Sequence, residues 1–209
     1  MSITRHPDDS TLMSYAAGSL PAALAVVVAA HLSVCRHCPA EVATMELLGG
    51  ALLADLPGAA LRGPKPGMPD AAPRGRARAT AGSASEVPAP LARLIGNDLD
   101  AVTWRWISPG LWLRRVPVGR GGQLHLLKGG PKVALPTHGH EGSEITMVLR
   151  GTLVDTTGRY TPGDVCDLDE SVVHKPAAGT AGCICIVAQE RPARFRSLVM
   201  RLARPWHGM

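Results

Sequence analysis

Three residues near the end of an apolar N-terminal stretch, His31, Cys35 and Cys38, have the types and spacing to bind a metal ion. Residues four apart lie on one face of an α-helix, so the side chains of His31 and Cys35 can converge on one point. Cys38 follows one turn later, and Pro39 disfavours helical geometry at Cys38, so the helix should end there. Two thiolates and an imidazole select Zn²⁺ over oxygen-preferring cations. The pattern predicts three corners of a tetrahedral zinc site.

A fourth ligand for this site must come from elsewhere in the chain. His37 is adjacent in sequence but points around the helix, whereas His6 lies on a free segment that could fold back. A plainer interpretation is a pair of reduced, buried cysteines beside a core histidine, because one Cys-x-x-Cys pair is a weak signal. The histidine four residues before the pair favours the metal site.

A second group of potential ligands lies in the C-terminal half of the chain. His138 and His140 project to one side of an extended strand, because side chains alternate along it, and Glu144 lies on the next stretch. His174 could be brought alongside by a neighbouring strand. Three imidazoles and a carboxylate suit ions of intermediate hardness, Zn²⁺, Fe²⁺, Mn²⁺ or Ni²⁺. A surface loop rich in histidine and glutamate is the alternative interpretation.

The remaining cysteines do not indicate a disulfide framework, because the total of five is odd and two of them have ligand spacing. Cys183 and Cys185 face one side of a predicted strand, where small apolar core residues are the favoured interpretation. A strained, reversible disulfide between them is the alternative. Cys166 has no partner that the sequence can name. This use of cysteine predicts a reducing, cytoplasmic location.

The elements that must position the first site are three predicted helices. Asp8, Asp9 and Ser10 are typical of a helix start, and Gly18 of its end. Pro21 opens a second helix that is apolar all round, so it must be covered on every side, by its own chain or by a partner. A third helix is predicted over residues 40–56, weakened by two adjacent glycines.

The composition changes twice along the chain, which predicts two domains and a linker. Residues 63–90 are rich in Gly, Pro, Ser and Arg without apolar periodicity, as in a flexible linker. From residue 91 onward, short alternating strands separated by Gly/Pro turns predict a small barrel or sandwich, ending in an amphipathic helix over residues 193–203. We therefore expect an α+β chain, with a helical head over residues 1–62 and an all-β domain over residues 91–209.

The charge distribution argues for a protein partner of the head. The chain carries a net charge of +5, but residues 1–62 contain three basic and five acidic side chains, a net charge of −2. A DNA-binding head should be basic, so no direct contact with nucleic acid is expected. The longest apolar run, residues 21–30, is too short to cross a bilayer, and no signal-peptide pattern opens the sequence.

The second ligand group lies within two motifs that resemble those of the cupins. His138-x-His140-x-x-x-Glu144, followed by Gly151, is similar to the first cupin motif, and Pro162-Gly163-Asp164 with His174 is similar to the second. Two positions depart from the pattern, because Lys132 stands where a glycine is expected and Ala178 where an asparagine is frequent. Neither departure removes a ligand. The resemblance implies a double-stranded β-helix barrel that binds a metal through these four side chains.

The whole chain resembles the ChrR family of zinc-binding anti-sigma factors. The head of that family carries an early histidine and then His-x-x-x-Cys-x-x-Cys, matched here by His6, His31, Cys35 and Cys38, and a linker and a cupin domain follow in the same order. The resemblance implies a cytoplasmic inhibitor with zinc as its cofactor. It implies that the protein binds an extracytoplasmic-function sigma factor and releases it under oxidative stress, notably by singlet oxygen.

An enzyme is the alternative function, because three histidines and a glutamate can carry dioxygenase or isomerase chemistry on a redox-active metal. No second base or cationic clamp is placed by motif, although His125 and Arg150 could supply one. A zinc-finger DNA reader is excluded, because the chain lacks a second ligand pair at finger spacing and a basic recognition helix. We therefore expect a regulatory protein without catalytic residues.

Overall fold

Three α-helices form the N-terminal part of the computed structural model, which describes residues 3–58, 86–119 and 121–195. They are α1 (Asp9–Ala16), α2 (Ala22–Val34) and α3 (Cys38–Ala54). The sequence signals lie at their ends: Gly18 has φ of 68° after α1, and Pro21 directly precedes α2. Residues 3–58 are called the head below. The predicted helical fold of this part is confirmed.

The boundary between α2 and α3 differs from the prediction by a few residues. α2 ends at Val34 instead of about Cys38, because Cys35 takes an extended backbone with ψ of 140°. α3 begins at Cys38, two residues earlier than predicted, since a proline in the first helical turn has no N–H that must be satisfied. Both cysteines of the motif therefore lie at the junction of two helices.

A fourth helix, α4 (Ala89–Ile95), was not predicted and overlaps the end of the predicted linker. Its buried side chains Leu91 and Ile95, with Val87 just before it, join the apolar core around α2. The rest of the predicted linker, up to residue 85, lies outside the described residues. The strands are therefore preceded by a helix that packs against the head.

In the described residues, ten strands follow α4 and every strand pairing is antiparallel. They are β1 (Arg105–Ser108), β2 (Leu111–Val116), β3 (Gln123–Gly129), β4 (His138–Gly139), β5 (Glu144–Asp155), β6 (Gly158–Tyr160), β7 (Val165–Leu168), β8 (Val173–His174), β9 (Ala177–Gln189) and β10 (Arg194–Phe195). The larger sheet has the order β1-β2-β3-β9-β5-β6, with β7 also paired to β5, and the smaller has the order β10-β4-β8. The predicted all-β second part is confirmed.

One side of the apolar helix α2 is covered by its own chain. Its buried residues Leu24, Val27 and Val28 share one core with α4 and with the side chains of β3, β5 and β9. Complete burial of a valine or leucine side chain stabilises the fold by roughly 1.5–3 kcal/mol. The head and the β-strands therefore share a core, but Val26, Ala29 and Leu32 of α2 are only half-buried and Val34 is exposed, so its own chain covers α2 in part.

Lys132, which stands where the related motif has a glycine, adopts a left-handed backbone with φ of 59°. No other non-glycine residue of the described chain has positive φ. Glycine reaches this conformation at no steric cost, whereas an L-residue is strained there by roughly 1–2 kcal/mol. The local backbone of the motif is therefore kept although its usual residue is replaced.

The end of the described chain departs from the prediction of a helix over residues 193–203. Residues 194 and 195 form strand β10, which pairs with β4 beside His138. Residues 196–203 lie outside the described ranges. Within those ranges, the helices are all too short or too polar to cross a bilayer.

Candidate metal centres

Four side chains of the head come together at the junction of α2 and α3. His31 lies on the last turn of α2, Cys35 on the connection, and Cys38 at the first position of α3. His6 comes from the segment that precedes α1. One potential ligand atom of each lies within 4.8 Å of those of the other three, and we call this group the head cluster.

The distances within the head cluster are those of atoms that face a common centre. The Nδ1 atom of His6 lies 3.2 Å from Cys38 Sγ and 3.5 Å from Cys35 Sγ. The Nε2 atom of His31 lies 3.4 Å from both Cys38 Sγ and His6 Nδ1. His37 lies outside the cluster, with an exposed side chain that pairs with Glu41 at 3.0 Å. The preference for His6 over His37 as the fourth member agrees with this arrangement.

Supporting hydrogen bonds orient the members of the head cluster. The carbonyl oxygen of Gly163 accepts a hydrogen bond from His31 Nδ1 at 2.9 Å, which leaves the Nε2 lone pair directed at the cluster. Cys35 Sγ accepts the backbone N–H groups of His37 and Cys38 at 3.3 and 3.5 Å. N–H donors of this kind favour a thiolate over a thiol.

Burial makes the head cluster a poor place for two thiolates without a cation. Burial and the adjacent Cys35 raise the pKa of Cys38 to about 12, and burial lowers the pKa of His31. Both effects favour the neutral side chains. A divalent cation would supply the charge that stabilises the thiolate form, and the two sulfur and two nitrogen donors match the preference of Zn²⁺.

The second predicted group is also brought together. We call the part of the chain formed by β1 to β10 the barrel, and this group the barrel cluster. His138 on β4 and His174 on β8 are directly paired across the smaller sheet, His140 follows β4, and Glu144 begins β5. All four are at most 4% exposed, and their potential ligand atoms lie within 4.8 Å of one another. The Nε2 atom of His174 lies 3.0 Å from Nε2 of His138 and 3.1 Å from Nε2 of His140.

The outer nitrogens of two of these rings are held by acceptors. His138 Nδ1 donates to the carbonyl of Pro136 at 2.9 Å, and His174 Nδ1 donates to the carboxylate of Asp155 at 2.6 Å. Each Nδ1 then carries the proton, so the facing Nε2 atoms are lone pairs 3.0 Å apart. Facing lone pairs repel unless a cation lies between them, and the donor set therefore fits a metal ion.

The ionisation of the barrel cluster points the same way. Burial, followed by the neighbouring histidines, lowers the pKa of His140 to about 3. Burial is the main cause that lowers the pKa of His138 to about 4. Burial raises the pKa of Glu144, although the amide of Gln189 donates to its carboxylate at 2.5 Å. The imidazoles of His138 and His140 are thus neutral at physiological pH, as metal binding requires.

A small cavity of about 40 Å³ lies beside the barrel cluster. It is bordered by apolar side chains and by the buried residues His125, Cys166, Cys185 and Gln189. One water occupies at least about 10–15 Å³ by this measure, so the cavity accommodates a few water-sized groups. Arg150 is not part of it, since its guanidinium pairs with Glu86 and Asp100 at the surface.

The five cysteines are all free thiols. Cys183 and Cys185 are buried on β9, and a contact with Cys183, followed by burial, raises the pKa of Cys185. Burial raises the pKa of Cys166 to about 11. Elevated thiol pKa values make Cys166 and Cys185 poor nucleophiles at neutral pH, and the burial of Cys183 and Cys185 agrees with their interpretation as core residues.

The sequence patterns identified all eight cluster members but not the residues that support them. Asp155 and Gln189 contact the barrel cluster, while Gly163 contacts the head cluster. The Pro-Gly-Asp motif gave a signal for Gly163, but only as part of a turn in the barrel. Its contact with the head could not be predicted, because it depends on how the two parts pack.

Comparison with known proteins gives a consistent relationship over the whole chain. Residues 93–192 match the family model described as the ChrR cupin-like domain. The chain is 35% identical over 210 residues to the anti-sigma-E factor ChrR of Cereibacter sphaeroides, covering 99% of both proteins. The chain belongs to the ChrR family. The resemblance seen in the sequence is thereby confirmed.

Solved structures include a close match to a member of the ChrR family. The ChrR-family chain in the crystal structure of Rhodobacter sphaeroides SigE in complex with the anti-sigma ChrR has a TM-score of 0.74 and 34% identity. The match covers 90% of this chain and 99% of that chain. KdgF from Halomonas sp. is also similar, at 18% identity and a TM-score of 0.40, covering 46% and 92% of the two chains. A similarity at that level carries no functional argument.

Proposed function

We propose that this protein is an anti-sigma factor whose head binds an extracytoplasmic-function sigma factor and keeps it from core RNA polymerase. The observation that carries the proposal is the 35% identity to the anti-sigma-E factor ChrR over 99% of both chains. A relationship of that extent includes the head and the barrel in the same order. The net charge of −2 over residues 1–62 favours a partner with a basic surface.

The second half of α3 offers a surface for such a partner. Five leucines in this half and just after it have more than half of their surface exposed, and we call them the leucine face: Leu47, Leu48, Leu52, Leu53 and Leu56. All residues from 46 to 58 are exposed, so these leucines lie around the helix, and exposed apolar side chains in this number mark interaction sites. The first half of α3 is anchored in the head by the buried Val42. We assign the leucine face as the surface that packs against helices of the sigma factor.

In vitro transcription from a promoter that depends on an extracytoplasmic-function sigma factor of the same organism tests this proposal. The purified chain should abolish transcription when it is equimolar with the sigma factor. Substituting Leu52→Asp and Leu53→Asp places two charges in the interface, and each should weaken binding by about 2–4 kcal/mol, as at an interface hot spot.

Trp106→Asp is the matched control, because Trp106 is a large apolar side chain that is 60% exposed on the barrel, away from α3. It should inhibit like the unmodified chain. Full inhibition by the doubly substituted leucine variant would contradict the assignment of the leucine face. A failure of the unmodified chain to inhibit any such sigma factor would contradict the proposed function itself.

We further propose zinc at both clusters, with a structural role in the head and a sensory role in the barrel. The two cysteines and two histidines of the head cluster are a donor set found in structural zinc sites. His138, His140, Glu144 and His174 also suit Fe²⁺, Mn²⁺ and Ni²⁺. Oxidative damage at the barrel cluster, for which singlet oxygen is the proposed agent, would weaken the complex and release the sigma factor.

A metal-dependent enzyme is the second candidate, because a small cavity adjoins the barrel cluster. The cavity volume of about 40 Å³ argues against a substrate of ordinary size, and Arg150 lies outside it. Elemental analysis of the natively purified protein separates the two functions. Two equivalents of zinc support the regulator, whereas iron in the barrel with substrate-dependent oxygen uptake supports the enzyme.

We place the protein in the cytoplasm, where its proposed partner acts. Its five cysteines are free thiols, as expected in a reducing compartment. Fractionation of cells with an antibody against the barrel tests the location. Recovery in the membrane or periplasmic fraction would contradict it.

A further inference from the structure

One turn of the barrel, Thr161 to Asp164, contacts the segment that carries His6. The carboxylate of Asp164 accepts the backbone N–H groups of Thr4 and Arg5 at 2.8 and 3.1 Å through Oδ1. The carbonyl oxygen of Arg5 in turn accepts the N–H of Val165 at 3.1 Å. The residues directly before His6 are thus hydrogen-bonded to the barrel in both directions.

The Asp164 carboxylate is held in place by the rest of the turn. It is 1% exposed, and its second oxygen accepts the N–H and hydroxyl of Thr161 at 2.8 and 2.7 Å. Four donors therefore satisfy one buried carboxylate, two from the head and two from the barrel. Such a group fixes the position of both segments, because moving either leaves a buried charge undersolvated.

The turn is also anchored to strand β5, which begins with the barrel-cluster residue Glu144. Gly163 N–H donates to the carbonyl of Val148 at 2.9 Å, and Val148 N–H donates to the carbonyl of Asp164 at 3.1 Å. The same Gly163 offers its carbonyl to His31 of the head cluster. Two of the four head-cluster side chains therefore depend for their position on one turn of the barrel.

A side chain added at Gly163 would contact the head, and Ile3 would have to move to accept it. Gly163 has φ of 94°, and an added Cβ would lie 2.8 Å from the side chain of Ile3 and 3.9 Å from that of Val34. A turn that only formed part of the barrel would not need this clearance on the side of the head. The contact is therefore close enough to position the segment before His6.

We propose that the Pro162-Gly163-Asp164 turn is a supporting part of the head metal centre, with Asp164 as a positioning residue for His6. Without the Asp164 contacts, the segment that carries His6 would be free to move. Metal binding alone would then have to offset the conformational entropy lost when this segment becomes ordered. With them, the imidazole is held beside Cys35 and Cys38 before the ion binds. The inference rests on the proposed binding of metal by the head cluster.

A consequence of this arrangement is that the head metal and the barrel stabilise each other. If the docked barrel raises the metal affinity of the head, then the metal raises the affinity of the head for the barrel by the same factor. A change in the barrel that moves the turn would loosen His6 and His31 without touching either thiol. The turn thus gives the barrel a physical route to the head.

Full-length protein loaded with Co²⁺ tests the inference. Only the head cluster contains sulfur ligands, so thiolate-to-cobalt charge-transfer absorption reports this site separately from the barrel cluster. Asp164→Ala should retain that absorption, show altered d–d bands because one imidazole is lost, and lose the ion to a chelator at least about 10-fold more readily. Thr4→Pro removes one of the N–H donors from the head side, leaves the barrel unchanged, and should shift both readouts in the same direction.

Asp169→Ala is the matched control, because the Asp169 carboxylate accepts hydrogen bonds from Ser171 within the barrel. It should match the unmodified protein. The inference would be overturned if Asp164→Ala and Thr4→Pro both showed the d–d bands of the unmodified protein and lost the ion to a chelator as readily, to within twofold. If Asp164→Ala does not fold, Thr4→Pro alone decides. An unmodified chain without any thiolate charge transfer would instead contradict metal binding by the head.

Discussion

At the scale of single residues, the two buried thiols of the head cluster are its most demanding members. Cys35 and Cys38 face His6 and His31, and the high pKa of Cys38 shows that a second thiolate is unfavourable in the absence of a cation. A metal ion bound here would therefore have to offset the free-energy cost of deprotonating two buried thiols. Metal binding by the head should consequently be strongly coupled to the folding of the head.

Replacing Cys35 and Cys38 together by Ser should reduce the zinc content from two equivalents to one. Structural zinc sites contribute roughly 10–16 kcal/mol in small zinc-finger peptides, so the head should also lose most of its helical stability and its partner binding. Elemental analysis and thermal unfolding followed by circular dichroism check both expectations. Cys183→Ser, a buried thiol outside both clusters, is the control and should retain two equivalents.

An unchanged zinc content in the double variant would show that the head cluster holds no metal. Unchanged partner affinity together with lost zinc would show that the ion is present but not structural. The two results separate metal binding from its proposed role.

The convergence of the cluster residues was predictable because their spacing follows from helix and strand geometry. His31 and Cys35 share a helix face, and His138 and His140 share a strand face, so local periodicity is sufficient to pair them. Asp155 and Gln189 carry no such signal, because each reaches its partner across the sheet. His6 was selected by elimination and by family resemblance, since its contacts with the other ligands cross 25 to 32 residues.

At the scale of elements, α3 combines an anchored first half with an exposed second half. Gly49 and Gly50 lie within it, and an added Cβ at either would have no neighbour within 4 Å. Glycine in a helix interior costs about 1 kcal/mol relative to alanine. The helix that carries the leucine face is therefore less stable than a helix of the same length with alanine at these two positions.

Substituting Gly49→Ala and Gly50→Ala should stabilise α3 by about 1 kcal/mol for each position. Circular dichroism should show more helix, and the free energy of unfolding of the head should rise. Gly151→Ala is the contrasting control, since Gly151 has φ of 80° and an added Cβ would lie 2.2 Å from the carbonyl of Gly182. It should lower stability, and a gain from that substitution would contradict the backbone argument.

The element boundaries show which sequence signals were decisive. Proline marked the starts of α2 and α3 to within two residues, because its missing N–H is harmless there. The end of α2 was predicted about four residues too late, because the extended backbone of Cys35 is imposed by the convergence of the cluster and not by a local breaker. α4 was missed because its seven residues are too short for a clear periodic pattern.

At the scale of the whole molecule, α2 belongs to both parts of the chain. The sequence showed that this helix needed cover on every side, but not that the sheet of β3, β5 and β9 supplies it. Only the first half of α3 contributes to that core, and the leucine face lies beyond it. On the proposed assignment of the leucine face, binding of the partner and packing against the barrel would use different helices.

A fragment of residues 1–85 should bind the sigma factor through the leucine face but unfold more easily than the head of the full chain. Removing the barrel exposes Leu24, Val27 and Val28 of α2 and deletes the Asp164 contacts. Sigma-factor binding by titration calorimetry and the unfolding midpoint of the fragment check the two halves of this expectation. A fragment that is stable but does not bind would show that the barrel forms part of the interface.

Replacing His140 or Glu144 by Ala should leave basal inhibition intact and reduce release under singlet oxygen. The reason is that these side chains lie in the barrel cluster, whereas the leucine face lies in the head. Transcription from a sigma-dependent reporter, with and without a photosensitiser, measures both quantities. A normal response of both variants would place the entry of the signal elsewhere, with the thiolates of the head cluster as the next candidates.

The contact between Thr4 and Asp164 joins residues 160 positions apart, and this sets an order of events during synthesis. The ribosome adds about 5–20 residues per second, so Asp164 emerges roughly 8–30 seconds after Thr4. Throughout that interval the newly made head has its ligands but not its supporting turn. Every chain therefore passes through a period in which its head is complete in sequence but lacks the turn to which the segment before His6 is hydrogen-bonded in the folded protein.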